Sequence, residues 1–167
     1  MVGALLVLWA TAQGPDSAAR ERVVVQALKS VQDSLDQVRG AAFNFRTDLE
    51  GASPVVLFNR AQRMQASCAG AGRALVQLDS VLVASYPKGE ATGLRREART
   101  LRGALEECQR EYDTASGEGG GSRRWEQRAD SVRAWAPYRL RKLDEAVRRY
   151  SGVASSVPRA HREPPKR

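Results

Sequence analysis

From Val24 onward the chain places apolar side chains at Val24, Leu28, Val31, Leu35, Val38, Ala42, Phe45 and Leu49, in steps of four and three that alternate without a fault. A helix with this 3.5-residue repeat carries one continuous apolar stripe, and that stripe must be buried against others like it. The rhythm returns at Leu57, Ala61, Met64, Cys68, Ala71, Leu75, Leu78 and Leu82, and again at Ala91, Leu94, Ala98, Leu101, Leu105, Cys108 and Tyr112. A fourth stripe runs through Trp125, Ala129, Val132, Ala136, Leu140, Leu143, Val147, Tyr150 and Ala154, where the alternation falters on either side of Pro137. The expected fold is therefore all-α: an antiparallel up-down-up-down four-helix bundle over residues 17–154, with coiled-coil-like packing and a left-handed supercoil. A long helical hairpin that completes its core as a homodimer is the alternative architecture.

The breaks between stripes support this reading. Gly51, Ala52, Ser53 and Pro54 offer a helix end, a cap and a first-turn proline in succession. Tyr86, Pro87, Lys88 and Gly89 make the second turn, and the run GEGGG at 117–121 makes a flexible third, after which Ser122 is placed to cap the last helix. Pro137 removes a backbone donor from the middle of that helix and predicts a kink or break between Trp135 and Tyr138. Alanines and Ser34 beside the first stripe (Ala27, Ala41) allow close helix approach. Residues 155–167 contain three prolines and no apolar period, which predicts a basic disordered tail.

Both cysteines fall on stripes. Cys68 lies 20 residues before Lys88 and Cys108 lies 20 after it. In an antiparallel hairpin turning at Pro87 to Gly89, equal distances from the turn mean equal height, so the two sulfurs are expected to face each other and form a disulfide in an oxidising compartment. Two buried thiols packing as small apolar groups are the alternative in a reducing one.

The compartment is read from the N-terminus. The first charged side chain is Asp16, and the apolar run Val2 to Trp9 is followed by Ala10, Thr11 and Ala12, the A-x-A pattern of a signal-peptidase site. Residues 1–12 are accordingly expected to be a signal peptide, truncated at its basic end, and the protein to be periplasmic or secreted. The run is too short to span a bilayer.

Charge is distributed unevenly. The chain has 27 Lys and Arg against 19 Asp and Glu, a formal charge of +8. Residues 1–121 hold 14 of each sign, whereas residues 122–167 hold 13 basic and 5 acidic side chains, so the whole surplus belongs to the last helix and tail. A segregated cationic patch steers and holds anionic partners. The residues expected to bind are Arg139, Arg141, Lys142, Arg148 and Arg149 on the helix and Arg159, Arg162, Lys166 and Arg167 on the tail, with Trp135 and Tyr138 as interface aromatics.

Chemistry has little to stand on. The lone His161 sits in the tail, there is no C-x-x-C or C-x-x-C-H, and GEGGG follows no strand and precedes no phosphate-binding lysine. Glu106 and Glu107 flank a stripe position and are read as facing solvent, without the Glu-x-x-His pairs of a di-iron bundle. No catalytic residue, metal site or cofactor is expected. The function expected is that of a non-enzymatic exported interaction protein, docking through its basic helix and tail onto an anionic membrane surface, an envelope polysaccharide or an acidic protein, the last as an accessory subunit of a membrane-associated assembly. Two other readings remain open: a small-ligand or cofactor sensor using the bundle interior near Pro137, and a nucleic-acid-binding protein if the chain is cytosolic.

Overall fold

The computed structural model describes residues 15–86, 89–113 and 121–156, with side chains from residue 18 and, in the last helix, from residue 126. Four helices follow one another: α1 (Pro15–Asp48), α2 (Pro54–Ser85), α3 (Thr92–Glu111) and α4 (Gly121–Ala154). Among the described residues there is no strand, and sequential helices pack as neighbours in an all-α four-helix bundle.

The stripes are the core. Val24, Val31, Leu35, Val38, Ala42, Phe45 and Leu49 of the first stripe are buried, with Leu28 packed against them, and all eight stripe residues of α2 are buried. So are the seven from Ala91 to Tyr112, and from Ala129 to Tyr150 every stripe residue of α4. No charged or polar residue is buried among those described. Burying a Leu or Phe side chain contributes about 1.5–3 kcal/mol, so the shared seam is the main source of cohesion.

Local signals act as the chemistry demands. Ser53 caps α2, its Oγ accepting from the Val56 amide at 3.4 Å, with Pro54 in the first turn. Gly89 adopts φ +87°, a left-handed conformation that costs glycine little and other residues more. Thr92 Oγ1 donates back to the Gly89 carbonyl and closes the turn.

Two features depart from the sequence expectation, and a third shapes the packing. Of the expected kink or break, the break does not occur, since α4 runs helical through Pro137; packing of Ala136 and Leu140 on either side, both buried, holds the segment helical although one backbone hydrogen bond is missing. It is already helical at Gly121, so Ser122 lies inside the first turn rather than at the cap. At 20 residues, α3 is much shorter than its 32- and 34-residue neighbours. It spans about 30 Å against about 50 Å for the others, which lets α2 reach α4 directly, while α1 and α3 make no substantial contact. Alanines at 61, 71 and 74 on the buried side of α2 suit this central position.

A basic helix answered from two sides

The expected binding helix, α4, meets α3 along one edge and α1 along the other. On the α3 side Arg139 Nε lies 2.8 Å from Glu111 Oε1 and its Nη1 3.9 Å from Glu107, while Lys142 Nζ lies 3.8 Å from the other Glu107 oxygen. Glu107 therefore stays at the solvent edge, as expected, and in addition reaches toward α4, whereas Glu106 pairs with Arg102 one turn earlier on its own helix, at 3.1 Å. Burial is the main influence on Glu111 and raises its pKa above the ordinary value, with Arg139 pulling the other way.

On the α1 side Arg46 Nη2 lies 2.8 Å from Asp144 Oδ2, and Arg39 donates to Ser151 Oγ at 3.2 Å. Arg133 has a different task. Its guanidinium donates to the carbonyls of Leu49 at 2.9 Å and Ala52 at 2.8 Å, and to Asp130 at 2.9 Å. Carbonyls at a helix C-terminus lack intrahelical donors, and a cation there also meets the negative end of the helix dipole. Arg133 thus fastens the α1–α2 corner to α4.

The remaining basic residues are less engaged. Arg148 Nε reaches only the Asp144 carbonyl, at 3.4 Å. Arg141 and Arg149 are exposed and form no ion pair among the described residues. Tyr138 is 52% exposed, and the charged groups of Arg139, Arg141 and Lys142 stand 5.7–6.0 Å from its ring centre. Trp135, paired with Tyr138 in the sequence reading, is half-buried instead; its ring packs 5.4 Å from Tyr112, which in turn meets Phe45 edge-on at 4.9 Å. Arg159, Arg162, Lys166 and Arg167 lie outside the described residues, as do His161 and the expected signal peptide at 1–12.

Cys68 and Cys108 stand at the same height on α2 and α3, with Cα atoms 6.3 Å apart and the sulfurs at disulfide distance. Asp79 and Arg95 pair across the same hairpin at 2.7 Å nearer its turn, and the hydrogen bond from Arg95 holds the Asp79 carboxyl below the usual range. At the far end Gln65 donates to Asp113 at 2.9 Å.

A groove of about 240 Å³ follows the α3–α4 edge from Tyr112 to Arg149, passing Leu140 near Pro137. A broader, more open depression of about 650 Å³ lies on the other side of α3, over Cys68, Gly72 and Leu105. Among the described residues no three His, Cys, Asp or Glu side chains gather to hold a metal ion, and no helix is long and apolar enough to cross a membrane. The chain matches no protein-family model, no curated protein and no solved structure.

Proposed function

We propose that the chain is an exported, non-enzymatic helical bundle that docks through the outer face of α4 and the basic segment 155–167 onto an anionic envelope component, or as an accessory subunit of a membrane-associated assembly. The observation that carries the reading is where charge is left over. Arg39, Arg46, Arg133, Arg139 and Lys142 are engaged by groups on neighbouring helices or on the α1–α2 corner. Arg141 remains beside exposed Tyr138, and Arg149 with the weakly held Arg148 remains exposed further along the helix, so this part of the basic surplus is turned outward. A fixed bundle core presenting these groups, extended by the four cations of the tail, suits adsorption to an anionic surface, each basic residue near such a surface adding about 1 kcal/mol. The Cys68 and Cys108 pairing suits an oxidising compartment.

The test is binding of the full chain to vesicles of anionic against zwitterionic phospholipid, and to an anionic polysaccharide, over a range of salt. Removal of residues 155–167 together with Arg141→Gln and Arg148→Gln should weaken binding and flatten its salt dependence. Retention unchanged by those variants and by salt would sink the proposal.

A further inference from the structure

The α3–α4 edge is a ladder with one rung of a different kind. Glu111 answers Arg139 and Glu107 answers Lys142. Stepping on by the same alternation, three and then four residues back along α3 and four and then three forward along α4, the next rungs are Ala104 with Ala146 and Thr100 with Arg149. All four residues line the groove. Two alanines stand where side chains on neighbouring rungs bridge the helices, and that shortfall makes the groove floor, together with Leu143. Beyond the alanines Arg149 meets no carboxylate of α3; Thr100 stands in its place, its hydroxyl donating to the Arg96 carbonyl at 3.2 Å and keeping lone pairs to accept. Glu145, on the lip of the groove one turn before Arg149, likewise forms no ion pair among the described residues. At the opposite end lies Tyr112, 1% exposed, whose hydroxyl is buried without a partner among the described residues.

We infer that this groove is a binding site for a small zwitterion with an apolar body, an α-amino acid with an aliphatic side chain. The Arg149 fork receives the carboxylate, Glu145 receives the ammonium with the Thr100 oxygen beside it, and the side chain lies over Ala104, Leu143 and Ala146 toward Tyr112. Both signs are needed: a bare carboxylate would meet Glu145, and a bare amine would meet Arg149 and Lys142. A volume of about 240 Å³ suits a molecule of this size. An exposed Glu and Arg four residues apart on a helix gain only about 0.3–0.5 kcal/mol from pairing with each other, so a ligand that satisfies both displaces little. The inference stands apart from the docking proposal, although Arg149 serves both.

The experiment is a titration of the oxidised full-length chain with L-leucine, followed by backbone amide NMR shifts. It is repeated with 4-methylpentanoate, which lacks the amine, and with 3-methylbutylamine, which lacks the carboxylate. Leucine should give saturable shifts at Thr100, Ala104, Ala146 and Arg149, and each half-ligand should bind at least about tenfold more weakly, a loss expected for one charge-assisted hydrogen-bonded contact. Arg149→Gln and Glu145→Gln should each weaken leucine binding, and Ala146→Leu should abolish it by filling the floor. Arg141→Gln with Arg148→Gln should leave it unchanged while weakening polyanion binding, which separates this site from the docking face. No saturable shift with leucine, equal binding of either half-ligand, or a variant Ala146→Leu that is folded by circular dichroism and still binds, would each overturn the inference.

Discussion

The helix α3 is held on its two sides by different physics. Toward α2 it is joined by a turn built on Gly89, by the cysteine pair at mid-height and by the Asp79 to Arg95 contact. Toward α4 it is joined through residues 112–120 and held at its edge by Glu107 and Glu111 reaching for Arg139 and Lys142. The seam leucines serve both sides alike. A covalent tie fixes height and spacing on one side whatever surrounds it, whereas exposed ion pairs contribute little cohesion and tolerate gaps between rungs. The shorter helix is thus tied covalently to α2 and held to α4 by side chains alone; the broad depression lies on the tied side and the narrow groove on the other.

The largest test of this contrast is to remove the covalent side. Cys68→Ser with Cys108→Ser, or reduction, should lower the stability of the chain by about 2–4 kcal/mol in urea unfolding, chiefly by releasing an unfolded chain otherwise closed over 40 residues. Replacing Arg139 on the other side should cost less than about 1 kcal/mol, since the pair with Glu111 is partly exposed. Equal losses would erase the distinction. Next in size is Arg133→Ala, which leaves the Leu49 and Ala52 carbonyls without their donor and should cost about 1–3 kcal/mol, against nearly nothing for Arg141→Ala. A smaller effect of opposite sign is expected from Tyr112→Phe. It removes a buried hydroxyl that has no partner among the described residues and should stabilise the unliganded chain by about 1 kcal/mol, as should Tyr150→Phe on α4.

Almost all of the packed seam was legible in the sequence, because burial follows period and the stripes keep theirs from Val24 to Tyr150, save for the two consecutive steps of four around Pro137. The placement of Cys68 opposite Cys108 was legible for a second reason, the turn midway between them. The edges were not. Glu107 reads as a solvated acid if its neighbours on α3 are the only evidence; the signal available was the pairing of acids four apart on α3 with bases three apart on α4, both flanking the seam. Arg133 offered none, since its acceptors are main-chain carbonyls 84 and 81 residues away, which no side-chain pattern encodes. The continuity of α4 through Pro137 was equally hidden: the propensity of one residue opposes it, and the buried neighbours outweigh that propensity only once the bundle is assembled.

The finest distinction between the two sides of α3 is in their titration. Asp79 has its pKa lowered from the ordinary 3.8 by the Arg95 hydrogen bond, so below that value the folded chain binds fewer protons there than the unfolded chain does. Stability from this group is present above 3.8 and is lost as pH falls through the lowered value. Glu111 has its pKa raised from the ordinary 4.5, first by burial, so between 4.5 and the raised value the folded chain binds more protons and stability falls as pH increases through that window. Urea midpoints measured from acid to neutral pH for the parent chain, Asp79→Asn and Glu111→Gln separate the two. The stability of the parent relative to Asp79→Asn should grow with pH in the most acidic range, and its stability relative to Glu111→Gln should shrink with pH at milder acidity. Slopes of the same sign for both variants would mean that Glu111 is governed by Arg139 rather than by burial, and that the α3–α4 edge is held more like the α2–α3 edge than the geometry indicates.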